Sequence, residues 1–305
     1  MNRHVLSMTD LSTDDITNVL DAAEQPDLAK VMTGMGCALI FEHPSARTRN
    51  AAEMAVYRLG GHPLTIRGDE IGIDQRESAE DMAMTLSGYH SVIGARVARH
   101  STLSRMTRAI DSSGRAVPVV NLLSDYEHPS QALADLLTMR QHFGVLEGLT
   151  VAFIGDANNV ARSLALGCAL TGASFRLGSP TGIDFVPEDY EIFKSIGASV
   201  TVFHDPIAAA ENADVLYSDV WVSMGEEGEA RAKRESFRAF TIDDSLLESA
   251  SERAIVMHCL PAHRGEEVSA KVIDGPRSVI WPQAVNRMHS LRGLLYVMLV
   301  NGSLE

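Results

Sequence analysis

Short apolar runs alternate along the chain with longer stretches in which apolar residues recur every three or four positions. A short run predicts a buried strand, and the longer spacing predicts a helix with one buried face. Strands are predicted in this way at residues 37–41, 64–66, 92–97, 117–121, 151–154, 174–177, 200–203, 215–219 and 254–258. Helices are predicted after a cap at Ser12 or Thr13, and at residues 51–59, 78–88, 132–143, 160–171 and 286–300. This alternation predicts an α/β fold with parallel sheets and helices on both faces.

The alternation of strands and helices stops at a link near residues 144–150 and then restarts. The chain has 305 residues, enough for two domains with filled cores. We therefore predict two doubly wound parallel-sheet domains. The first covers residues 1–143 and is joined by the C-terminal helix at 286–305, and the second covers 148–285. Ligands of open parallel sheets bind beyond the carboxyl ends of the strands, so we expect the active site in the cleft between the domains.

Composition narrows the range of partners. The net charge is −14, which argues against nucleic acid or an anionic membrane surface. An anionic substrate would therefore need a local cluster of arginines. Cys37, Cys168 and Cys259 lack the spacing of a disulfide framework, and the first ten residues lack the apolar core of a signal peptide. We expect a cytoplasmic protein without a membrane-spanning segment.

The turn between the strand at 37–41 and the helix at 51–59 is the first candidate site. It carries Ser45, Arg47 and Thr48. The first N–H groups of a helix lack partners within the helix, and the helix dipole adds partial positive charge there. Together with two hydroxyl groups and an arginine, such a turn suits a phosphate group. The alternative is a capped helix start with solvated arginines, which this motif alone does not exclude.

Further polar residues lie at the carboxyl ends of the other predicted strands. In the first half they are Arg96, His128 and Gln131, which suit a phosphate and a carbonyl oxygen. In the second half they are Asn159, Asp219, Ser223, Met224 and Cys259, of which Asn159 and Asp219 suit the carboxylate and ammonium of an amino acid. These two sets predict an enzyme that holds two substrates side by side.

Five segments in order make the chain resemble the aspartate/ornithine carbamoyltransferase family over almost its whole length. They are Ser-Ala-Arg-Thr-Arg at 45–49, the segment from His128 to Thr138, Asp219 to Gly225, Met257 to Pro261, and Asn-Arg-Met-His at 286–289. Ser-Met-Gly at 223–225 and His-Cys-Leu-Pro at 258–261 favour ornithine as the amine substrate. The resemblance implies that the carbamoyl group of carbamoyl phosphate passes to the δ-amine of L-ornithine, which gives L-citrulline and phosphate.

The resemblance also implies a role for each site residue. Carbamoyl phosphate would be held by Ser45, Ala46, Arg47, Thr48, Arg96, His128, Gln131, Cys259, Leu260 and Arg287. The α-carboxylate and α-ammonium of ornithine would be held by Asn159, Asp219, Ser223 and Met224. Arg47, Arg96, His128 and Cys259 would be the catalytic residues. Members of the family form trimers in which a loop of the neighbouring chain enters the site, and neither a metal nor an organic cofactor is expected.

Two positions depart from the family pattern. Ala46 stands where the family usually has threonine, which removes one hydroxyl group from the phosphate turn, and we expect weaker binding there. The polar loop at 68–77 is also less typical, which puts the contribution of the neighbouring chain in doubt.

Other functions remain as alternatives. A carbamoyltransferase with another amine acceptor, such as an acylated ornithine or a diamine, is the first, although Asp219 and residues 223–225 argue against it. A nucleotide-binding oxidoreductase is disfavoured because residues 155–159 lack G-x-G-x-x-G. A non-catalytic amino-acid-binding protein would leave Arg47, Arg96 and His128 without a use. His258 and His263 suggest a metal site, but their segment supplies no further soft ligands, and we expect none.

Overall fold

The structure, a computed structural model, describes residues 4–222 and 230–300. Ser223 and Met224, two of the predicted ornithine ligands, therefore lie outside the described residues. The chain divides into two compact units. Unit 1 comprises Met1–Leu137 and Val285–Glu305, and unit 2 comprises Thr138–Ala284. Each unit is built around one parallel sheet, as the alternating pattern predicts.

The sheet of unit 1 has the strand order β2-β1-β3-β4, and every pair is parallel. The strands are β1 (Gly36–Phe41), β2 (His62–Arg67), β3 (Val92–Arg96) and β4 (Val119–Leu123). The helices before and between them are α1 (Thr13–Glu24), α2 (Ala46–Arg58), α3 (Gly68–Ile71), α4 (Ala79–Leu86), α5 (His100–Ser112) and α6 (Pro129–Phe143). A short 3-10 helix covers Met8–Asp10.

Helices cover both faces of this sheet because alternate residues of β1 point to opposite sides. Ala38 and Ile40 belong to the apolar cluster that contains residues of α4 and α5. Cys37 and Leu39 face the other side, where α2 and the C-terminal helix pack. Gly94 on β3 permits close packing there, because a Cβ atom would lie 3.0 Å from the Leu39 side chain.

The register of the strands brings their carboxyl ends to one edge of the sheet. Phe41 at the end of β1 pairs with Arg96 at the end of β3, and Arg96 pairs with Leu123 at the end of β4. The segments that follow β1 and β4 therefore leave the sheet from the same edge. These segments carry the turn before α2 and the turn before α6, which hold most of the predicted site residues of this unit.

The C-terminal helix α13 (Ile280–Val300) packs against α1 within unit 1. A Cβ atom on Gly293 would lie 2.4 Å from the Val19 carbonyl oxygen, so only glycine permits this close approach. Arg292 strengthens the contact, because its guanidinium donates to the carbonyl oxygens of Ala23, Gln25 and Pro26. The last helix is thereby held beside the first one.

The N-terminal segment lies along the edge strand β4 and ends at a buried carboxylate. Val5 forms a parallel bridge with Val120, and its N–H donates to the Val119 carbonyl oxygen at 2.9 Å. The carboxylate of Glu127, which is 1% exposed, accepts from the Ser7 hydroxyl group and from the Met8 N–H at 2.9 Å. The segment is thus fixed to the turn that directly precedes His128.

The sheet of unit 2 has the order β7-β6-β5-β8-β9, again with parallel pairs throughout. Its strands are β5 (Thr150–Ile154), β6 (Ser174–Gly178), β7 (Val200–Phe203), β8 (Val215–Ser218) and β9 (Ile255–His258). Its helices are α7 (Asn159–Leu170), α8 (Pro187–Ser195), α9 (Pro206–Ala210), α10 (Ala230–Phe237), α11 (Asp244–Ser249) and α12 (Ala270–Ile273). A 3-10 turn covers Arg238–Phe240.

Strand β5 forms the centre of this sheet, and its residues 151–154 are fully buried. The Phe153 ring stacks on Tyr217 of β8 with centroids 5.2 Å apart. The register also places Ser218 beside His258, so the residues that follow, Asp219 and Cys259, leave the sheet as neighbours. Among the described residues, no helix is both long and apolar enough to cross a membrane.

Several helices differ from the pattern-based expectation. Helix α2 begins at Ala46 rather than at 51, because its first turn is polar and shows no apolar spacing. Helix α13 begins at Ile280 rather than at 286. Helix α5 was not predicted, although the spacing of Leu103, Met106 and Ile110 indicates it, and all three residues are buried.

Replacing Glu127 with Ala should loosen the N-terminal segment. The variant leaves the Ser7 hydroxyl group and the Met8 N–H without their buried acceptor, which costs about 2–3 kcal/mol. We expect faster amide hydrogen exchange in residues 5–10 and a lower urea midpoint. The exposed Glu77→Ala is the control and should change neither quantity. Unchanged exchange in Glu127→Ala would show that this carboxylate does not anchor the segment.

Candidate active site

The turn before α2 in unit 1 has the features of an anion site. Ser45 caps the helix, since its Oγ accepts from the Thr48 N–H at 3.3 Å and donates to Thr48 Oγ1 at 3.0 Å. Unlike α1 and α4, helix α2 carries no Asp or Glu in its first turn. The partial positive charge of the helix start is therefore not neutralised locally. Ala46 and Arg47 are exposed at this start.

A cavity opens beside the same turn. Its volume is about 540 Å³, and Ser45, Ala46 and Arg49 are among the residues that line it. Arg49 contributes little free charge to it, because its Nε donates to Glu53 at 2.8 Å. The helix start is therefore accessible to a small ligand.

Three arginines gather around this turn. Arg96, at the end of β3, and Arg287, on α13, are each 7% exposed, and Arg287 Nη2 donates to Thr48 Oγ1 at 2.6 Å. The pKa of Arg96 is lowered to about 10, first by burial and then by the charges of Arg287 and Arg47. Arg96 is still charged at neutral pH, so like charges lie close together in a partly dry environment. Such an arrangement favours a bound anion.

His128 lies next to these cations and is 4% exposed. Burial lowers its pKa well below the usual value, and the charges of Arg287 and Arg96 lower it further. The imidazole is therefore neutral at pH 7 and offers one donor and one acceptor nitrogen. The Ser130 hydroxyl group lies 3.2 Å from Nδ1 and 3.1 Å from the Leu122 carbonyl oxygen. A ring that is protonated on Nε2 requires this hydroxyl group to donate to Nδ1.

Gln131 follows one turn later on α6 and is 1% exposed. Its Nε2 donates to Asp135 Oδ1 at 2.8 Å. His128 directly precedes α6 and lies beside Gln131, whose N–H donates to the His128 carbonyl oxygen at 3.0 Å. The structure thus places Ser45, Ala46, Arg47, Thr48, Arg96, His128, Gln131 and Arg287 at one end of the unit 1 sheet.

The corresponding group in unit 2 is built around Asp219, which follows β8 and is 8% exposed. Its Oδ1 accepts from Cys259 Sγ at 2.9 Å and from the Val220 N–H at 2.8 Å. Its Oδ2 accepts from Asn158 Nδ2 at 2.9 Å. The carboxylate is held from two sides and keeps acceptor capacity for a ligand cation.

Asn158 was not among the predicted site residues, which included Asn159 instead. Asn158 caps α7 through Oδ1, which accepts from the N–H groups of Val160 and Ala161 at 3.0 Å each. Its other amide atom reaches Asp219. The sequence offered one sign of this role, because Asn158 is a preferred capping residue type and precedes a predicted helix. Asn159 itself is the first residue of α7, beside this cap.

The turn after β9 is fixed by a buried histidine. His258 Nδ1 accepts from the Leu260 N–H at 2.8 Å, so Nε2 carries the proton and donates to Glu267 Oε1 at 3.2 Å. Leu260 has a φ of 60° and precedes a cis Pro261. The buried pair of His258 and Glu267 therefore holds Cys259 and Leu260 in place beside Asp219.

Two groups of side chains in the described ranges could approach a metal ion. They are Asp219, His258 and Cys259, and His263, Glu266 and Glu267. Each group contains a ligand atom that is already engaged, because Glu266 accepts from Arg234 Nε at 2.9 Å and Cys259 donates to Asp219 at 2.9 Å. We assign no metal site to either group.

The neutral state of His128 can be measured directly. We expect its ring nitrogens to keep the NMR shifts of a neutral imidazole from pH 7.5 to below pH 6, because burial and two cations disfavour the charged form. Long-range ¹⁵N–¹H spectra report this state, and His128→Asn assigns the signals. A midpoint near 6.5 for His128 would contradict the expectation.

Comparison with known proteins identifies the family. Residues 3–141 match the carbamoyl-P binding domain of aspartate/ornithine carbamoyltransferase, and residues 147–298 match the Asp/Orn binding domain. The ornithine carbamoyltransferase of Acidothermus cellulolyticus is 44% identical, with 98% of this chain and 97% of the relative covered. That of Methanocaldococcus jannaschii is 41% identical, with 95% and 97% covered.

Solved structures agree with this result. The ornithine carbamoyltransferase from Pyrococcus furiosus superposes with a TM-score of 0.91 at 36% identity, covering 99% of this chain and 98% of that one. The matches span nearly the full chain and both domain models. The chain belongs to the aspartate/ornithine carbamoyltransferase family.

Proposed function

We propose that this protein transfers the carbamoyl group of carbamoyl phosphate to the δ-amine of L-ornithine, which gives L-citrulline and phosphate. The observation that carries the proposal is the convergence of Arg47, Arg96 and Arg287 on the start of α2, next to a neutral His128. The relatives above are named ornithine carbamoyltransferase, which supports the same activity.

The phosphate group would bind at the start of α2. Ser45, Arg47 and Thr48 supply hydroxyl and guanidinium donors there, and the backbone of Ala46 supplies an N–H group. A dianion placed among Arg47, Arg96 and Arg287 would remove the repulsion that lowers the pKa of Arg96. Binding would therefore relieve an unfavourable interaction of the free protein as well as form new hydrogen bonds.

The carbamoyl group would lie against Arg96, His128 and Gln131. The neutral His128 donates from Nε2 to the carbonyl oxygen in the tautomer whose Nδ1 accepts from the Ser130 hydroxyl group. Negative charge develops on this oxygen as the amine attacks, and one well-placed donor contributes about 3–4 kcal/mol to such a transition state. Phosphate is a good leaving group, so a covalent intermediate with the protein is unnecessary. Correct orientation of the two substrates supplies up to about 7–11 kcal/mol more.

Ornithine would bind around Asp219, whose carboxylate pairs with the α-ammonium group. Asn158 and Cys259 hold this carboxylate in place. By resemblance, Asn159, Ser223 and Met224 complete the site, the last two lying outside the described residues. Cys259 and the Leu260 carbonyl oxygen would face the δ-amine, which must lose a proton before it can attack the carbamoyl carbon.

The choice of amine distinguishes this proposal from its closest alternative. A diamine has no α-carboxylate, and an acylated ornithine has no α-ammonium group to pair with Asp219. An acylated ornithine would leave a carboxylate that is 8% exposed without its counter-ion, and a diamine would leave the groups that bind the α-carboxylate without a ligand. Purified protein with carbamoyl phosphate and a panel of amines, with products identified by mass, tests this choice. Citrulline is the expected product, and preferred carbamoylation of a diamine would overturn the assignment.

We also propose that the protein acts in the cytoplasm as a homo-oligomer, a trimer or a multiple of trimers. The family resemblance supports the assembly. The thiol groups of Cys37, Cys168 and Cys259 are buried and in the reduced form, which suits a reducing compartment. Light scattering on the purified protein measures the assembly directly.

Arg47→Ala should lower kcat/KM for carbamoyl phosphate by at least about 100-fold, because it removes a charge from the proposed phosphate turn. Arg49→Ala is a matched control on the same helix, since its guanidinium is paired with Glu53. We expect the control to lose less than about tenfold. Steady-state kinetics on both variants and their melting temperatures separate binding from folding. Similar kinetics for the two variants would refute the phosphate role of Arg47.

Asp219→Asn should raise KM for ornithine by about 100-fold or more while carbamoyl phosphate still binds. The substitution keeps the shape of the side chain and removes the charge that would pair with the α-ammonium group. Calorimetry with each substrate separates the two effects. Asp189→Asn is the control, because it also removes a buried carboxylate from unit 2, one that is paired with Arg162. The role of Asp219 is wrong if the control and the variant shift KM for ornithine equally.

A further inference from the structure

A buried carboxylate on α6 has no part in the mechanism described above. Asp135 is 0% exposed and lies one turn after Gln131. A carboxylate oxygen accepts hydrogen bonds, so the part of the Gln131 amide that faces Asp135 is its NH2 group. The distance from Nε2 to Oδ1 is 2.8 Å. Asp135 thereby fixes the orientation of the Gln131 side-chain amide.

The consequence appears at the other amide atom. Gln131 Oε1 is buried and has no hydrogen-bond partner in the described part of the chain. A buried acceptor without a donor is costly, and native proteins keep few of them. Gln131 lies in the first turn of α6, next to His128, which directly precedes the helix, and beside the proposed carbamoyl site. The Gln131 Oε1 atom could therefore accept a hydrogen bond from a ligand that carries an N–H group at this position.

We propose that Asp135 is a positioning residue that holds Gln131 with Oε1 as the acceptor for the NH2 group of the carbamoyl moiety. The site then selects carbamoyl phosphate over acyl phosphates that carry a methyl group in place of NH2. This inference rests on the proposed function. The carbamoyl NH2 donates to Oε1, whereas a methyl group of nearly the same size leaves this oxygen unpaired.

The electrostatics explain why a carboxylate suits this task. The NH2 and C=O ends of an amide are almost the same size, so packing alone does not choose between its two orientations. A charged acceptor at the NH2 end makes the reversed orientation unfavourable, because Oε1 would then face a carboxylate oxygen. A neutral amide at position 135 could pair with either end of Gln131 and would impose no choice.

Two stable analogues test the selection. Phosphonoacetamide carries the NH2 group, and 2-oxopropylphosphonate carries a methyl group at the same place. We expect calorimetry on the wild-type protein to give at least about tenfold tighter binding of phosphonoacetamide. Asp135→Asn and Gln131→Leu should each reduce this ratio to about twofold or less. The double variant should reduce it no further, because Asp135 acts through Gln131.

Controls separate positioning from stability. Asp189→Asn removes another buried carboxylate and should lower the melting temperature without changing the ratio of the two affinities. If Asp135→Asn does not fold, Asp135→Ser is measured in the same way, and Asp135→Glu should retain part of the selection. The inference is wrong if a folded Asp135 variant keeps the wild-type ratio of the two affinities. It is also wrong if the wild-type protein binds both analogues equally. Failure of the wild-type protein to bind either analogue would contradict the proposed function itself.

Discussion

The repulsion among Arg47, Arg96 and Arg287 is the constraint on which the site in unit 1 depends. Two of these side chains are almost fully buried, and burial strengthens the repulsion between like charges. The Thr48 hydroxyl group holds one of them in place by accepting from Arg287. A bound anion would offset this repulsion, so the local cluster favours an anionic ligand in a protein whose net charge is −14.

The same cluster controls the chemistry of the residue beside it. His128 stays neutral because two cations and burial all disfavour its protonated form. His258 in unit 2 is equally buried, yet its hydrogen bonds to Leu260 and Glu267 fix its tautomer instead. One histidine is therefore kept neutral next to a reactive group, and the other supports the backbone turn that carries Cys259. The residue type alone does not distinguish these roles, and the charges around each ring do.

Local sequence was sufficient for much of the fold. The strand before Ser45 and the cap at Ser45 are encoded within a few residues, so the turn between the strand and the helix could be located from the pattern alone. The start of α2 could not, because Arg47, Thr48 and Arg49 show no apolar spacing. Contacts between distant residues were also beyond reach. The bond from Arg287 to Thr48 spans 239 residues, and only the family resemblance suggested that the two belong together.

The choice between Asn158 and Asn159 shows why geometry is needed for the last step. Both amides follow β5, and a sequence pattern treats them as equivalent. In the structure Asn158 precedes the first helical residue, so its side chain turns back to cap α7 and its Nδ2 reaches Asp219. A residue that caps a helix cannot rotate freely, and this fixes the carboxylate that it contacts. Asp135 acts on Gln131 in a similar way, because its carboxylate accepts from the Gln131 side chain. In both pairs a neighbouring side chain fixes the orientation of a polar group that could otherwise adopt more than one. Both orienting residues lie one contact away from the proposed ligands, and motifs built from ligand contacts do not include such residues.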